Sequence, residues 1–383
     1  MSSVNSEYRI LKVWPFWVDG IKYHDQYLAD KMLEDNVYTH FICPDYTPPN
    51  YSAFSSESDK NSTYNVSFLK SFFVFGKPFP YDFFGVISKV RLFKPDVVHF
   101  FGISNFITVV VLLALFFSNY KGKIVFNDHS DPNERKKGLK ARFYYGFFAV
   151  FFKIFIRGKY KIIVPDDSSF NEIVRRYGSG VMRNLTIIPL GYDERIFCNS
   201  NPSRGKKAFV LGFAGKINEA KKLERLVDAS LCFDESVLDI KIAGLNLDRL
   251  SQYQQSLLDY VKSTGRNNIH LTSFISAPSE LSDFYAGLDL AVFPGSISIT
   301  TLEATGCGTP IVLYNSISGL DHRVSNGRGL LFDTQQELVS CIDFFLNAKE
   351  GSGIDHNQIA SNSREFSWSS LKHEYYNIYG FKG

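Results

Sequence analysis

Short apolar runs alternate with stretches of helical period along almost the whole chain, and one polar interruption divides the alternation into two rounds. In the first round the strand candidates are RILKVWPF (Arg9–Phe16), THFICPD (39–45), PDVVHFF (Pro95–Phe101), KIVFND (Lys123–Asp128) and KIIVPDD (Lys161–Asp167). NLTIIPLGYDERIF (Asn184–Phe197) then runs from strand into loop. HDQYLADKMLEDN follows the first strand, with Tyr27, Leu28 and Leu33 near helical spacing. CNSNPSRGKK (Cys198–Lys207) breaks the pattern with the composition of a linker. AFVLGFAG (Ala208–Gly215) restarts it. KLERLVDASL carries apolar residues at 223, 226, 227 and 231, and LDIKIAGL, NNIHLTSF, LDLAVFPG and TPIVLY are further strands. Such alternation forms a parallel sheet covered by helices. Two rounds in 383 residues, too many for one ordinary core, predict two doubly wound, Rossmann-like α/β domains facing across a cleft, residues 1–197 and 206–365.

An apolar content of 45% with 21% charge is that of a globular chain, and a net charge of +3 is too small to argue for nucleic acid. The five cysteines contain no CxxC pair and no zinc spacing, and read as free thiols in a reducing compartment. MSSVNSEYRILKVW lacks a signal peptide's apolar centre, so the expectation is a cytoplasmic protein.

Ligands of open parallel sheets bind beyond the carboxyl ends of the strands. That rule selects Gly215–Lys222, Gly244–Asn246, Ser273–Ser276 and Pro294–Thr301 in the second round, and Phe16–His24, Phe101–Ser104 and Asn127–Ser130 in the first.

These segments resemble a family. GFAGKINEAKKLERLVDA, IIPLGYDERIF, PGSISITTLEATGCGTPIV, SGLDHRVSNGRGLLF and FSWSSLKHEYYNIY are similar, in that order, to segments of the retaining GT-B glycosyltransferases of family 4, the glycosyl transferases group 1. They correspond to the glycine–basic–lysine segment, the interdomain proline-x-glycine-x-aspartate, the donor loop and helix, the closing loop, and a C-terminal helix that returns to the first domain, here residues 366–383. The resemblance implies a nucleotide-sugar donor, such as a UDP- or GDP-sugar. Glu303 matches the second glutamate of the family's Glu-x7-Glu pair, which accepts hydrogen bonds from the ribose hydroxyls. The first glutamate's position is occupied by Gly295. A missing carboxylate there implies a donor sugar held instead by backbone amides around Ser296, Ile297, Ser298, Ile299 and Thr300, and predicts that Gly295→Glu re-ranks donors. A helix start suits the diphosphate, because its amides are unsatisfied and small residues let the backbone approach.

Lys216 and Lys221 follow Gly215, at the spacing where the family holds the diphosphate with an arginine and a lysine; a solvated pair is the alternative. A lysine in place of arginine keeps a point charge without bidentate recognition. No Asp-x-Asp constellation stands out, so lysines rather than a metal are expected to neutralise the diphosphate, and no cofactor is expected. The resemblance puts His129 near the donor sugar as a third catalytic candidate, beside the alternative of a structural histidine. It puts Gly20 on a loop approaching phosphates and acceptor, and His24 and Asp25 within reach of the acceptor hydroxyl.

FITVVVLLALFF has twelve residues, too few to span a bilayer as a helix, and reads as a buried helix. Between Asp131 and Lys161 nine Lys or Arg stand with FYYGFFAVFFKIFI, which suits peripheral contact with the inner membrane leaflet or a helix with a basic outer edge. The function expected is transfer of a sugar to a glycan or lipid-linked saccharide, in bacterial surface polysaccharide synthesis. The alternatives are a sugar-nucleotide 2-epimerase of the same fold and a non-catalytic nucleotide-sugar-binding subunit.

Overall fold

Runs that are apolar on both faces, such as ILKV, VVHFF and IIV, can be satisfied only inside a sheet covered on both sides. The computed structural model places them so, and describes residues 7–18, 23–46, 64–74, 76–129, 138–155, 160–200, 208–315, 319–351 and 353–381. Two compact units result: residues 1–189 with 371–383, and residues 190–370.

The first unit is built on β1 (Tyr8–Val13), β2 (Val37–Pro44), β3 (Asn65–Leu69), β6 (Val97–Phe101), β7 (Lys123–Asn127), β8 (Tyr160–Val164) and β9 (Leu185–Ile187). They form one seven-stranded parallel sheet in the order β3-β2-β1-β6-β7-β8-β9. An antiparallel hairpin, β4 (Ser71–Val74) and β5 (Lys77–Pro80), stands beside it. The sequence reading had no place for this hairpin. Neither strand alternates cleanly, and all three aromatic or apolar side chains of SFFV face solvent or sit half-exposed. FITVVVLLALFF is the helix Phe106–Phe117, buried along most of its length. Among the described residues no helix is long and apolar enough to cross a membrane.

The second unit carries β10 (Phe209–Ala214), β11 (Leu238–Leu245), β12 (Ile269–Ser273), β13 (Leu290–Phe293), β14 (Ile311–Tyr314) and β15 (Gly329–Phe332). Its sheet is parallel throughout, in the order β12-β11-β10-β13-β14-β15. Its core is a continuous cluster running from Tyr192 and Phe197 to Phe366.

The division at 189/190 precedes the polar stretch at 198–207 because Tyr192 and Phe197 pack into the second unit's core. Glycine is required at 191, where a Cβ would stand 2.6 Å from the Trp368 ring. The helix Trp368–Tyr379 starts in the second unit and from Leu371 belongs to the first. There Lys372 Nζ and the Tyr376 hydroxyl donate to Asp35 Oδ2 at 2.6 and 2.8 Å, and the Tyr8 hydroxyl donates to the Tyr379 carbonyl at 2.6 Å.

Candidate functional site

In each sheet the winding reverses once, and at that point the loops leaving two adjacent strands diverge and open a crevice. In the second unit the reversal lies between β10 and β13. Gly215–Lys222 leaves the first of these strands and Pro294–Ile299 the second, so two segments 80 residues apart are brought side by side. The contact is direct. The Ser296 amide donates to the Ala220 carbonyl at 2.7 Å, and Lys221 Nζ donates to the Ser296 carbonyl at 2.7 Å.

Both bonds revise the expected roles. The Ser296 amide is committed inside the protein, which leaves the Ser296 hydroxyl as the group this residue can present. Lys221 is buried and ties the two loops together. An ammonium has three donors, so the bond to Ser296 does not exhaust its charge. Lys216 is exposed just beyond Gly215.

The loop after β13 runs through Ser296, Ile297, Ser298 and Ile299 into a short helix, Thr300–Gly306. Its turn is held by hydroxyls: Ser298 Oγ and Thr300 Oγ1 lie 2.6 Å apart, and Thr301 Oγ1 donates to the Ser298 carbonyl at 3.0 Å. Arg323 braces the same turn, its Nη1 donating to the Ser298 carbonyl at 3.2 Å and to Thr301 Oγ1 at 2.7 Å.

Glu303 sits on this helix with only 8% of its surface exposed. Its Oε2 is buried and has no hydrogen-bond partner among the described residues. Burial pushes its carboxyl up to about 8. Tyr285, whose hydroxyl donates to the Ala214 carbonyl at 3.0 Å, lies close enough for the Glu303 charge to add to the burial that raises its own phenol. A buried carboxyl with an unsatisfied oxygen costs stability unless something outside the fold completes it. A perturbed carboxyl at a strand-end crevice is a functional-site candidate on those grounds.

Gly295 corrects the expectation of a specificity pocket. A Cβ at this position would stand 2.2 Å from the Ala220 carbonyl oxygen and 2.5 Å from the Lys221 carbonyl carbon. Both are backbone atoms, fixed by the bonds just described. The glycine is there because the two loops touch, and it leaves no vacated space for a larger donor.

In the first unit the reversal lies between β1 and β6. The register sets Lys12 beside His99, and the helix His24–Leu33 brings His24 and Asp25 to the same end of the sheet. Lys12 and Asp25, each 1% exposed, form a hydrogen-bonded ion pair. Asp25 Oδ2 also lies 2.9 Å from His24 Nε2. Burial pushes the Asp25 carboxyl up, but the Lys12 and His24 charges and the His24 hydrogen bond outweigh it and hold it well below the usual carboxylate range. Asp25 is therefore spent on Lys12 and His24. Through the second contact it orients the His24 ring.

The His24 ring stacks on the His129 ring at 4.7 Å, and His129 Nε2 donates to Asn127 Oδ1 at 3.0 Å, which leaves Nδ1 as the acceptor of that ring. Burial, followed by the neighbouring His24 charge, lowers His129 to about 3, and burial with Lys12 does the same to His99. Both are neutral at physiological pH, so His129 offers a hydrogen bond rather than a charge. Gly20 lies outside the described residues.

The Lys12–Asp25 pair yields a stability prediction. Asp25→Asn should cost about 3–5 kcal/mol in denaturant unfolding, because it strands a buried ammonium, whereas Lys12→Met with Asp25→Leu should recover most of that loss. A double variant as unstable as the single one would show that the pair is not an isolated exchange of charges.

Lys12, Tyr285 and His99 were not picked out from the sequence as site residues, and Asn127 and Arg323 only as members of longer segments. Lys12 alone left a signal, a cation in the middle of an otherwise apolar strand run. The others sit in ordinary surroundings, and their roles follow from contacts between segments distant in sequence.

Two family models match the chain: Glycosyl transferases group 1 over residues 197–366, and Glycosyltransferase Family 4 over residues 18–195. Similar curated proteins include the D-inositol 3-phosphate glycosyltransferase of Paenarthrobacter aurescens (strain TC1), 27% identical over 190 residues, which are 46% of this chain and 46% of that protein. The enzyme of that name from Pseudarthrobacter chlorophenolicus is 28% identical over 191 residues, 46% of this chain and 45% of that one. The chain therefore matches about half the length of these curated relatives. Among solved structures, Anabaena HepE in complex with UDP-glucose superposes with a TM-score of 0.72 at 16% identity, covering 97% of this chain and 99% of that one. Sucrose-phosphate synthase from Thermosynechococcus elongatus gives 0.70 at 13%, covering 97% and 98%. At these identities the likeness establishes the fold, GT-B with two Rossmann-like domains.

Proposed function

Because the chain belongs to the group 1 glycosyl transferases of glycosyltransferase family 4, we propose that it moves a sugar from a nucleotide-sugar donor to a glycan or lipid-linked saccharide, with retention, in the synthesis of a bacterial surface polysaccharide. The observation that carries this reading is the unpartnered Glu303 oxygen at the point where the second sheet reverses. A ribose diol supplies two donors to one carboxylate, which is what that oxygen lacks. The names of the curated relatives support glycosyl transfer, and the UDP-glucose held by Anabaena HepE supports a nucleotide-sugar donor.

In this reading Glu303 orients the nucleotide, and Lys216 and Lys221 face the diphosphate. The bond between the anomeric carbon and the diphosphate oxygen breaks as the acceptor oxygen bonds to the same face of that carbon. The acceptor's proton passes to the departing phosphate, so no side chain need act as base. Rate enhancement comes from stabilising the charge that grows on the diphosphate and from holding the reactants in line. His129 supplies Nδ1 as an acceptor toward a sugar hydroxyl, and His24, held by Asp25, lies next to it.

Thermal shift with a panel of nucleoside diphosphates and their sugars identifies the donor. Free nucleotide released only in the presence of acceptor supports transfer; interconversion of two sugar nucleotides without acceptor, or tight binding with no turnover, overturns it. Lys221→Ala should lower kcat by about tenfold or more beyond any loss of donor affinity, because charge on the diphosphate is greatest in the transition state. Equal effects on kcat and on binding would confine Lys221 to the ground state and to its bond with Ser296.

A further inference from the structure

Two buried cations each hold one carbonyl of the loop that follows β13. Lys221 Nζ donates to the Ser296 carbonyl at 2.7 Å, and Arg323 Nη1 donates to the Ser298 carbonyl at 3.2 Å. The peptide bonds of the described residues are all trans. In a trans peptide the carbonyl and the amide that follows it point in opposite directions. The Ile297 and Ile299 amides are therefore turned away from the two cations. Neither amide has a hydrogen-bond partner among the described residues, whereas the Ser296 amide is taken by the Ala220 carbonyl and the Thr301 amide by the Ser298 carbonyl.

Arg323 is more than this turn needs for its own bonding. The Ser298 carbonyl already accepts from the Thr301 amide at 3.4 Å and from the Thr301 hydroxyl at 3.0 Å. A carbonyl oxygen has two lone pairs, so both are used before the guanidinium arrives. What buried Arg323 adds is charge. A cation at the carbonyl oxygen polarises the peptide and strengthens the N–H at its other end. Arg323 is held in turn by Arg328, which is wholly buried. Arg328 Nε donates to the Arg323 carbonyl at 3.2 Å, and its Nη2 donates to the His322 carbonyl and, at 3.0 Å, to Ser325 Oγ. Its Nη1 donates to the Asn362 carbonyl at 2.6 Å and to Glu365, and its guanidinium carbon stands 4.8 Å from the centre of the Phe366 ring. The segment that carries Arg323 is thus fastened from behind, well away from the loop it grips.

A polarised amide gains more from an anion than from a neutral hydroxyl. Glu303, four residues beyond Ile299, carries the unpartnered oxygen read above as the ribose anchor. We propose that Arg323 is a positioning residue of the donor site: it orients and polarises the Ser298–Ile299 peptide so that the Ile299 amide faces the distal phosphate of the nucleotide. Arg323 touches no ligand and acts through that peptide, and Arg328 keeps it in place. The proposal rests on the nucleotide-sugar reading and adds to it a residue that sets how strongly the distal phosphate is held.

The test is isothermal titration of the whole protein with UDP and UMP, and with GDP and GMP, since each pair differs only in the distal phosphate. Arg323→Met should weaken binding of the diphosphate about tenfold, the worth of one hydrogen bond to a charged group, and leave the monophosphate within about twofold. Arg323→Lys keeps a cation but loses the planar fork, and should reduce the loss to about threefold. Where Arg323→Met does not fold, Thr301→Val decides, because it removes one of the two acceptors of Arg323 at a position with no exposure; it should weaken the diphosphate alone, by about threefold. Equal weakening of monophosphate and diphosphate overturns the proposal and leaves Arg323 a support of the fold. Unchanged diphosphate affinity overturns it as well. Binding of neither pair by the wild-type protein sinks the donor reading, and the proposal with it.

Discussion

Glu303→Gln is expected to weaken nucleoside diphosphate binding by about 1.5–3 kcal/mol, roughly ten- to a hundredfold, and to abolish its dependence on pH. The wild-type carboxyl titrates at about 8 because it is buried. A carboxylate that accepts two ribose hydroxyls binds best when ionised, so affinity should climb with pH and level off above about 8, with a limiting slope of roughly tenfold per unit. The amide keeps the volume and one acceptor but cannot titrate.

Stability moves in the opposite sense. A carboxyl whose folded value lies above its unfolded one favours the folded state while it holds its proton. That contribution is fully present below about pH 4.5 and is lost as pH rises through about 8. Glu303→Gln should therefore stabilise the fold against unfolding more at about pH 9 than at about pH 5, by an amount on the order of a few kcal/mol. Isothermal titration across this range decides the matter. Unchanged nucleotide affinity at every pH would remove Glu303 from the site.

Gly295→Ala is expected to destabilise the second unit by about 3 kcal/mol or more, and Gly295→Glu by at least as much. The added Cβ meets the carbonyl oxygen of Ala220 at 2.2 Å, and relief requires separating the two loops that carry Lys221 and Ser296. Donor binding should fall uniformly across sugars, because the nucleotide and phosphate partners move together. Thermal unfolding with a donor panel tests both statements. A Gly295→Glu protein that melts like wild type and re-ranks its donors would restore a specificity role for this position.

These two residues show how far the sequence could be read. Glu303 could be singled out because the segment that carries the family resemblance is local: a strand, a small-residue turn and a helix within 22 consecutive residues, Phe293 to Tyr314. Gly295 was legible as a departure from a family pattern, but its meaning was not. Its reason for being glycine is a backbone 75 residues away, at Ala220. The same holds for Lys221. Spacing put its charge beside a glycine turn and the family resemblance implied a diphosphate there, yet its bond to the Ser296 carbonyl depends on the strand order β10-β13, which no local pattern encodes.

The sequence by itself determined the two rounds of parallel α/β structure, the strand ends that carry the candidate site residues and the family to which the segments belong. Those properties follow from period, turn chemistry and motif order, all of them short-range in the chain. Only the tertiary structure decided that Asp25 serves Lys12 and His24, that Gly295 is a contact point, and that one helix of the first unit exposes Phe143 and Phe147 while it buries Phe148 and Phe152. Those outcomes depend on which neighbours a residue meets across the sheet, and on which apolar surface finds none.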